Sequence, residues 1–151
     1  MHRRYVAVCG ASQATPSQLD AAREVGRLLA KRGAIVINGG FGGVSGAASE
    51  GASLEGGTVV GILPDTDRSS VSPHLTIAIA TGLGQSRNAV IVAAADSVIA
   101  IGAGWGTLSE IAFAKRLDRP VFALDTWDVP GLEVVKTPAE AVQRALEDKE
   151  E

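Results

Sequence analysis

The sequence SVIAIGAGWGT, residues 97–107, contains the clearest indication of the fold class. Its first five residues, Ser97 to Ile101, form a short apolar run that predicts a strand buried on both faces. The small residues Gly102 to Gly106 then predict a tight loop, and the residues from there to about Leu117 favour a helix. This order of strand, glycine-rich loop and helix predicts one βα unit of an α/β protein.

The same alternation of short apolar runs and longer helical stretches extends along the whole chain. Thr15-Pro16-Ser17-Gln18 predicts a helix start, with threonine as the N-cap and glutamine completing a capping box, and Gly33 predicts the end of that helix. Thr137 to Glu140 predicts a second capping box at the last helix. We therefore predict an α/β fold, a Rossmann-like doubly wound parallel sheet in a single domain of residues 1–151. The predicted strands are residues 5–9, 34–37, 58–62, 75–80, 97–101 and 120–124, and the other predicted helices begin near residues 44, 83 or 84, and 107.

The composition excludes several classes of function. The chain has 151 residues, 46% of them hydrophobic, which is enough for one buried core. Its net charge of −3 argues against a nucleic-acid partner, because such binding depends on basic groups that neutralise phosphates. One cysteine, Cys9, and two histidines are too few for a cysteine- or histidine-based metal site, so no metal is predicted. No run approaches the ~18 apolar residues of a membrane span and no leader is recognised, so we expect a cytoplasmic protein without a membrane partner.

Three glycine-rich loops follow predicted strands. In a parallel sheet these loops meet at the carboxyl edge, where the next helix directs its free N–H groups and the positive end of its dipole. Tight βα turns alone would also explain glycines, but several such loops on one edge favour a cradle for phosphate. No G-x-x-x-x-G-K-[ST] or G-x-G-x-x-G motif is present, so neither a P-loop nor ordinary NAD binding is predicted. The predicted phosphate- or ligand-binding loop residues are Gly10, Ala11, Ser12, Gly39, Gly40, Phe41, Gly42, Gly43, Gly102, Ala103, Gly104, Trp105, Gly106 and Thr107.

The residues Gly102 to Glu110, G-A-G-W-G-T-L-S-E, resemble the P-G-G-x-G-T-x-x-E signature of the Lonely Guy family, once labelled "possible lysine decarboxylases". That SLOG-type Rossmann superfamily includes phosphoribohydrolases that release the free base from cytokinin nucleotides. The R-N-x-x-I sequence that starts at Arg87, followed by G-x-G-x-G-T-L-S-E-I, is more similar to the branch of molybdenum cofactor carrier proteins. Carriers bind and protect a phosphorylated pterin cofactor.

The chain departs from the Lonely Guy pattern at four positions. The family proline is Ile101 or absent, depending on the alignment. Ala103 replaces the middle glycine, Asn88 replaces a lysine, and Ser109 replaces the first of two glutamates. Arg87 and Glu110 are retained. In an enzyme, the resemblance implies that Glu110 stabilises the oxocarbenium-like transition state or orients water, while Arg87 binds phosphate or pairs with Glu110.

The retained Arg87 and Glu110 support an enzyme, whereas the changed residues Ala103, Asn88 and Ser109 support a binding protein. We predict a binding protein for a phosphorylated nucleotide- or pterin-like ligand, with Arg87 and Asn88 among the ligand contacts and no required cofactor. The molybdenum cofactor or a nucleotide is the expected ligand. The alternative is a nucleoside 5′-monophosphate phosphoribohydrolase with Arg87 and Glu110 as catalytic residues, and a nucleotide sensor is a third possibility. Apolar residues on more than one face of the helices near residues 87–95 and 107–115 predict a homo-oligomer, a dimer or tetramer.

Overall fold

The computed structural model describes residues 3–147, which form one sheet with helices on both faces. The predicted Rossmann-like α/β fold is confirmed. The strands are β1 (Tyr5–Gly10), β2 (Ile35–Asn38), β3 (Val59–Leu63), β4 (Ile77–Ala80), β5 (Ser97–Ile101), β6 (Val121–Leu124) and β7 (Glu133–Val134). The α-helices are α1 (Pro16–Lys31), α2 (Gly43–Leu54), α3 (Arg87–Ala93), α4 (Trp105–Arg116) and α5 (Pro138–Ala145), and a 3₁₀ turn spans Gly84–Ser86.

The sheet reverses its strand order at β1. The strands lie in the order β4-β3-β2-β1-β5-β6-β7, and all the pairings are parallel. β1 therefore lies between β2 and β5, with Cys9 opposite Ala100 and Gly10 opposite Ile101. Because the chain leaves β1 and β5 toward opposite sides, a crevice opens beyond their carboxyl ends, where this class of fold binds ligands.

Alternate residues of β1 belong to two separate hydrophobic layers. Val6 and Val8 are fully buried in the layer under α1, α2 and α5. Ala7 and Cys9 are buried in the layer under α3 and α4. The strand is therefore covered on both faces, which explains why its sequence is continuously apolar instead of alternating.

Several element starts differ from those predicted from the sequence, among them α4, which begins at Trp105 instead of near residue 107, and β7, which was not predicted. The Thr15–Gln18 capping box is formed in both directions. At α5, Thr137 caps Glu140, but the Glu140 carboxylate accepts from the N–H of Lys136 instead of that of the cap residue. β4 begins at Ile77, two residues later than predicted, and the helix predicted from residue 83 or 84 is divided into the 3₁₀ turn and the shorter α3. Within residues 3–147, no helix is long and apolar enough to cross a membrane.

Candidate ligand-binding site

A cleft of about 320 Å³ lies at the carboxyl ends of β1, β2 and β5, where the strand order reverses. The loops that follow these three strands form its wall, together with the first turns of α2, α3 and α4. Most of the residues predicted as binding or catalytic therefore lie around one opening. Those that line it are Gly10, Ala11, Ser12, Gly39, Phe41, Gly42, Arg87, Asn88, Gly104, Trp105, Gly106, Thr107 and Glu110.

Two helices present uncapped N-termini to the cleft. The N-cap residues of α2 and α4 are Gly42 and Gly104, both in extended conformation, and no side chain caps either helix. Both glycines line the cleft. Each helix has 12 residues, and its first-turn N–H groups and positive dipole end favour an anion. The arrangement is therefore suited to a negatively charged group.

Thr107 supplies a buried hydroxyl in the first turn of α4. Thr107 is only 2% exposed, and its Oγ1 has no hydrogen-bond partner among residues 3–147. A buried hydroxyl without a partner costs about 1–3 kcal/mol, so such groups are normally paired. Because Thr107 lines the cleft, a bound molecule there is the natural partner for this hydroxyl.

Arg87 connects the walls of the cleft. Its Nη1 donates to the carbonyl oxygens of Gly39 and Ile62, at 2.8 and 2.7 Å, and its Nε donates to Asn88 Oδ1 at 2.8 Å. The guanidinium also lies 5.8 Å from the centroid of the Phe41 ring. The direct pairing with Glu110 considered from the sequence is not observed within 4.0 Å in the described part of the chain. Arg87 therefore acts on Glu110 through longer-range electrostatics, and its hydrogen bonds join α3 to the loop after β2 and to strand β3.

The two neutral replacements of family charges contact each other. Asn88 Nδ2 donates to Ser109 Oγ at 3.1 Å, and Ser109 Oγ donates to the Gly106 carbonyl at 2.7 Å. Asn88 is buried, and its amide accepts from Arg87 through Oδ1 and donates to Ser109 through Nδ2. A lysine and a glutamate at these positions would place two opposite charges here. This chain instead has an uncharged link between α3 and α4.

Glu110 is a buried acid that lines the cleft. It is 8% exposed, and burial raises the pKa of Glu110 to about 7, although a hydrogen bond from Cys9 and the charge of Arg87 act in the opposite direction. Burial, and secondly the nearby Glu110 carboxylate, raise the pKa of the Cys9 thiol well above its usual value. Cys9 is thus a buried thiol and not an activated nucleophile. Glu110 can hold or release a proton near neutral pH.

Four predicted loop residues do not line the cleft: Gly40, Gly43, Gly102 and Ala103. The three glycines have positive φ angles of 84°, 65° and 77°, so they shape the loops instead. Their contact with a ligand remains a prediction.

Sequence reasoning missed three residues of the wall, Ser45, Gln85 and Ile91. Ser45 had a usable signal, because it follows the cap Gly42 by three residues, as Thr107 follows the cap Gly104. Both residues therefore place a hydroxyl in the first turn of a helix that begins at the cleft.

The fold and the cleft define a Rossmann-like α/β protein whose candidate site lies at the reversal of strand order. The chain belongs to the SLOG cluster4 family, whose model matches residues 3–150. This match confirms the resemblance to the superfamily of the Lonely Guy proteins.

Solved structures agree with the carrier branch. The molybdenum cofactor binding protein of Rippkaea orientalis is 36% identical, with a TM-score of 0.91 over 95% of this chain and 96% of that chain. The molybdenum cofactor carrier protein of Chlamydomonas reinhardtii is 30% identical, with a TM-score of 0.86 over 96% and 99% of the two chains. A probable cytokinin riboside 5′-monophosphate phosphoribohydrolase of Oryza sativa is 32% identical over 72% of this chain. The present chain spans only 50% of the length of that rice protein.

Proposed function

We propose that the cleft binds a phosphorylated small molecule of the nucleotide or pterin type, and that the protein is a binding protein similar to the molybdenum cofactor carriers. The observation that carries this proposal is the unpartnered, buried hydroxyl of Thr107 in the first turn of α4, at the wall of the cleft. A phosphate oxygen is an acceptor for this hydroxyl, and the uncapped N-termini of α2 and α4 favour its charge. The half-buried Arg87 guanidinium adds a positive charge at the wall of the cleft.

The donors that line the cleft fit a phosphate better than a metal ion. Hydroxyl and backbone N–H groups and one guanidinium surround the opening. Among residues 3–147, no group of three or more His, Cys, Asp or Glu side chains is placed to hold a metal ion. If the molybdenum cofactor is the cargo, we therefore propose that Thr107, Ser45 and Arg87 hold its phosphate.

Replacing Thr107 by valine tests the phosphate site, because valine keeps the shape of the side chain and removes the hydroxyl. We expect the affinity for adenosine monophosphate, measured by calorimetry, to fall roughly ten-fold, the effect of losing one hydrogen bond to a charged group. Stability should stay equal or rise, because Thr107 Oγ1 has no partner to lose within the described chain.

Thr76→Val is the matched control for this prediction. Thr76 Oγ1 accepts from the Val59 N–H at 2.9 Å and lies outside the cleft, so this variant should lose stability and bind normally. Equal ligand affinities for Thr107→Val and wild type would contradict the phosphate site.

A hydrolase is the second candidate, and Glu110 is the observation that favours it. Its carboxyl group lines the cleft with a pKa of about 7, so near neutral pH a fraction is ionised and able to stabilise a developing positive charge on a sugar ring. The neutral Asn88–Ser109 pair argues for the binding protein, because it replaces the lysine and the first glutamate of the hydrolase pattern.

Incubation with adenosine monophosphate, followed by chromatography of the free base, separates the two candidates. The binding protein should release no base under conditions in which it binds the nucleotide. Base release that disappears in Glu110→Gln would instead establish the hydrolase.

We also propose that the protein is a cytoplasmic homo-oligomer. Several large apolar side chains are exposed at two places, one on the edge strand β4 and in the loop before α3, the other on α4 and directly after it. They include Ile77, Ile79, Leu83, Phe113 and Leu117. A second copy of the chain could cover either place.

A further inference from the structure

We infer that Trp105, supported by Trp127, is the stacking platform for a planar heteroaromatic ring, so that the site selects ring-bearing phosphates over sugar phosphates. This inference rests on the proposed function, because it concerns the other end of the same ligand. It assigns Trp105 a role in specificity, because the phosphate site alone cannot distinguish ligands with a planar ring from those without one.

The exposure of Trp105 is the first observation. Its side chain is 78% exposed, the highest value among the exposed large apolar residues of the described chain, and it lines the cleft. Burying an indole contributes more than burying most other side chains, so a tryptophan left in water at a binding cleft is a large unused contact area. A ligand ring placed on it would bury that area.

Trp127 holds the platform in place. The indole Nε1 of Trp127 donates to the carbonyl oxygen of Gly104 at 2.8 Å, one residue before Trp105. The two rings have centroids 5.2 Å apart and planes inclined by 38°. Trp127 itself packs against the buried layer under α3 and α4. Because one side of Trp105 is supported in this way, a ligand ring does not have to order a free side chain when it binds.

The platform and the phosphate donors are close enough for one ligand. Trp105 and Thr107 are the first and third residues of α4, so both belong to one helical turn beside the cleft. A nucleotide or pterin phosphate has its ring and its phosphate at opposite ends, and this turn offers a contact for each. The other aromatic ring of the cleft, Phe41, is half-buried with the Arg87 guanidinium 5.8 Å from its centroid, and is less available.

Stacking on a tryptophan tolerates different rings, because purines and pterins both present a flat π face. The platform therefore predicts discrimination between ligands with and without a ring. It does not discriminate between purine and pterin.

The test compares adenosine monophosphate with ribose 5-phosphate, which shares the phosphate and sugar but has no ring. In the full-length protein, we expect Trp105→Leu to weaken binding of adenosine monophosphate by about ten-fold or more and to leave binding of ribose 5-phosphate within about two-fold. Adenosine monophosphate should also quench the tryptophan fluorescence of the wild-type protein, and ribose 5-phosphate should not. Tyr5→Leu is the matched control, because Tyr5 is an exposed aromatic residue at the amino end of β1, away from the cleft and from the proposed subunit surfaces.

Three results would overturn the inference. If Trp105→Leu weakens both ligands equally or neither, the proposed function stands and the platform is wrong. If the variant changes the mass of the protein in solution and not the ratio of the two affinities, Trp105 is a subunit contact. If the wild-type protein binds neither ligand, the proposed function itself fails and the inference fails with it.

Discussion

Replacing Glu110 by glutamine should make the protein progressively more stable than wild type as the pH rises from about 5 to about 8.5. Burial raises the pKa of Glu110 to about 7, whereas an unfolded glutamate titrates near 4.5. Between these values the folded state binds more protons than the unfolded state, so wild-type stability falls as the pH rises and is constant again above the folded pKa. The shift corresponds to roughly 2–3 kcal/mol of difference between wild type and variant across this range. Urea unfolding at several pH values measures it.

The control is Glu24→Gln on α1. A hydrogen bond from Arg27 lowers the pKa of Glu24, so its contribution is fully present above its unfolded pKa and is lost only as the pH falls to acidic values. The difference in free energy of unfolding between Glu24→Gln and wild type should therefore not change between about pH 5.5 and pH 8.5. If the free energy of unfolding of Glu110→Gln changes with pH in the same way as that of wild type, Glu110 is ionised throughout this range. Its burial then has no effect on its charge, and the prediction is wrong.

The loss of folding stability that Glu110 causes at neutral pH is an argument that this residue has a functional role. A glutamine would fill the same space without an ionisation penalty, and mutation readily supplies such stabilising replacements. A residue with this pKa at the wall of a cleft is a functional-site candidate on physical grounds. A bound phosphate near Glu110 would favour its protonated form further, so proton uptake is expected when the ligand binds.

The architecture of the sheet was predictable because its central strands have a clear sequence pattern. Continuous apolar runs such as Val6–Cys9 and Ser97–Ile101 lie between glycine loops and helices, and the structure places them as β1 and β5 at the centre of the sheet. The edges were less predictable. β7 has only the two exposed residues Glu133–Val134 and was not predicted. β4 has the apolar sequence Ile77–Ala80 and was predicted as a strand, but its largely exposed position at the edge was not.

The sequence predicted most of the residues that line the candidate site, but it did not predict the hydrogen bonds between them. Glycine loops after strands indicated which residues would meet, since parallel topology places them at one edge. The partners of Arg87 were not predictable, because the carbonyl groups of Gly39 and Ile62 are 48 and 25 residues away and carry no side-chain signal. The roles of individual glycines also depend on backbone angles that the sequence does not display.

Gly42→Ala and Gly43→Ala should separate a glycine that faces the ligand from one that forms the loop. A methyl group at Gly43 would lie 2.5 Å from the carbonyl oxygen of Ala11 and 2.6 Å from that of Ser12, at a φ of +65° that alanine rarely adopts. We expect Gly43→Ala to lose about 3 kcal/mol of stability or more, the sum of left-handed strain and overpacking. Urea or thermal unfolding measures this loss.

Gly42 is the matched neighbour, because it has a φ of −87° and a methyl group there meets nothing within 4 Å. Gly42→Ala should therefore change stability by less than about 1 kcal/mol, the range expected for an N-cap that lacks a side-chain bond. Its methyl group would stand at the wall of the cleft, at the N-terminus of α2, so affinity for adenosine monophosphate should fall by about ten-fold. A Gly42→Ala protein that folds and binds like wild type would show that the ligand does not approach α2, and would leave α4 as the single helix N-terminus that binds the phosphate.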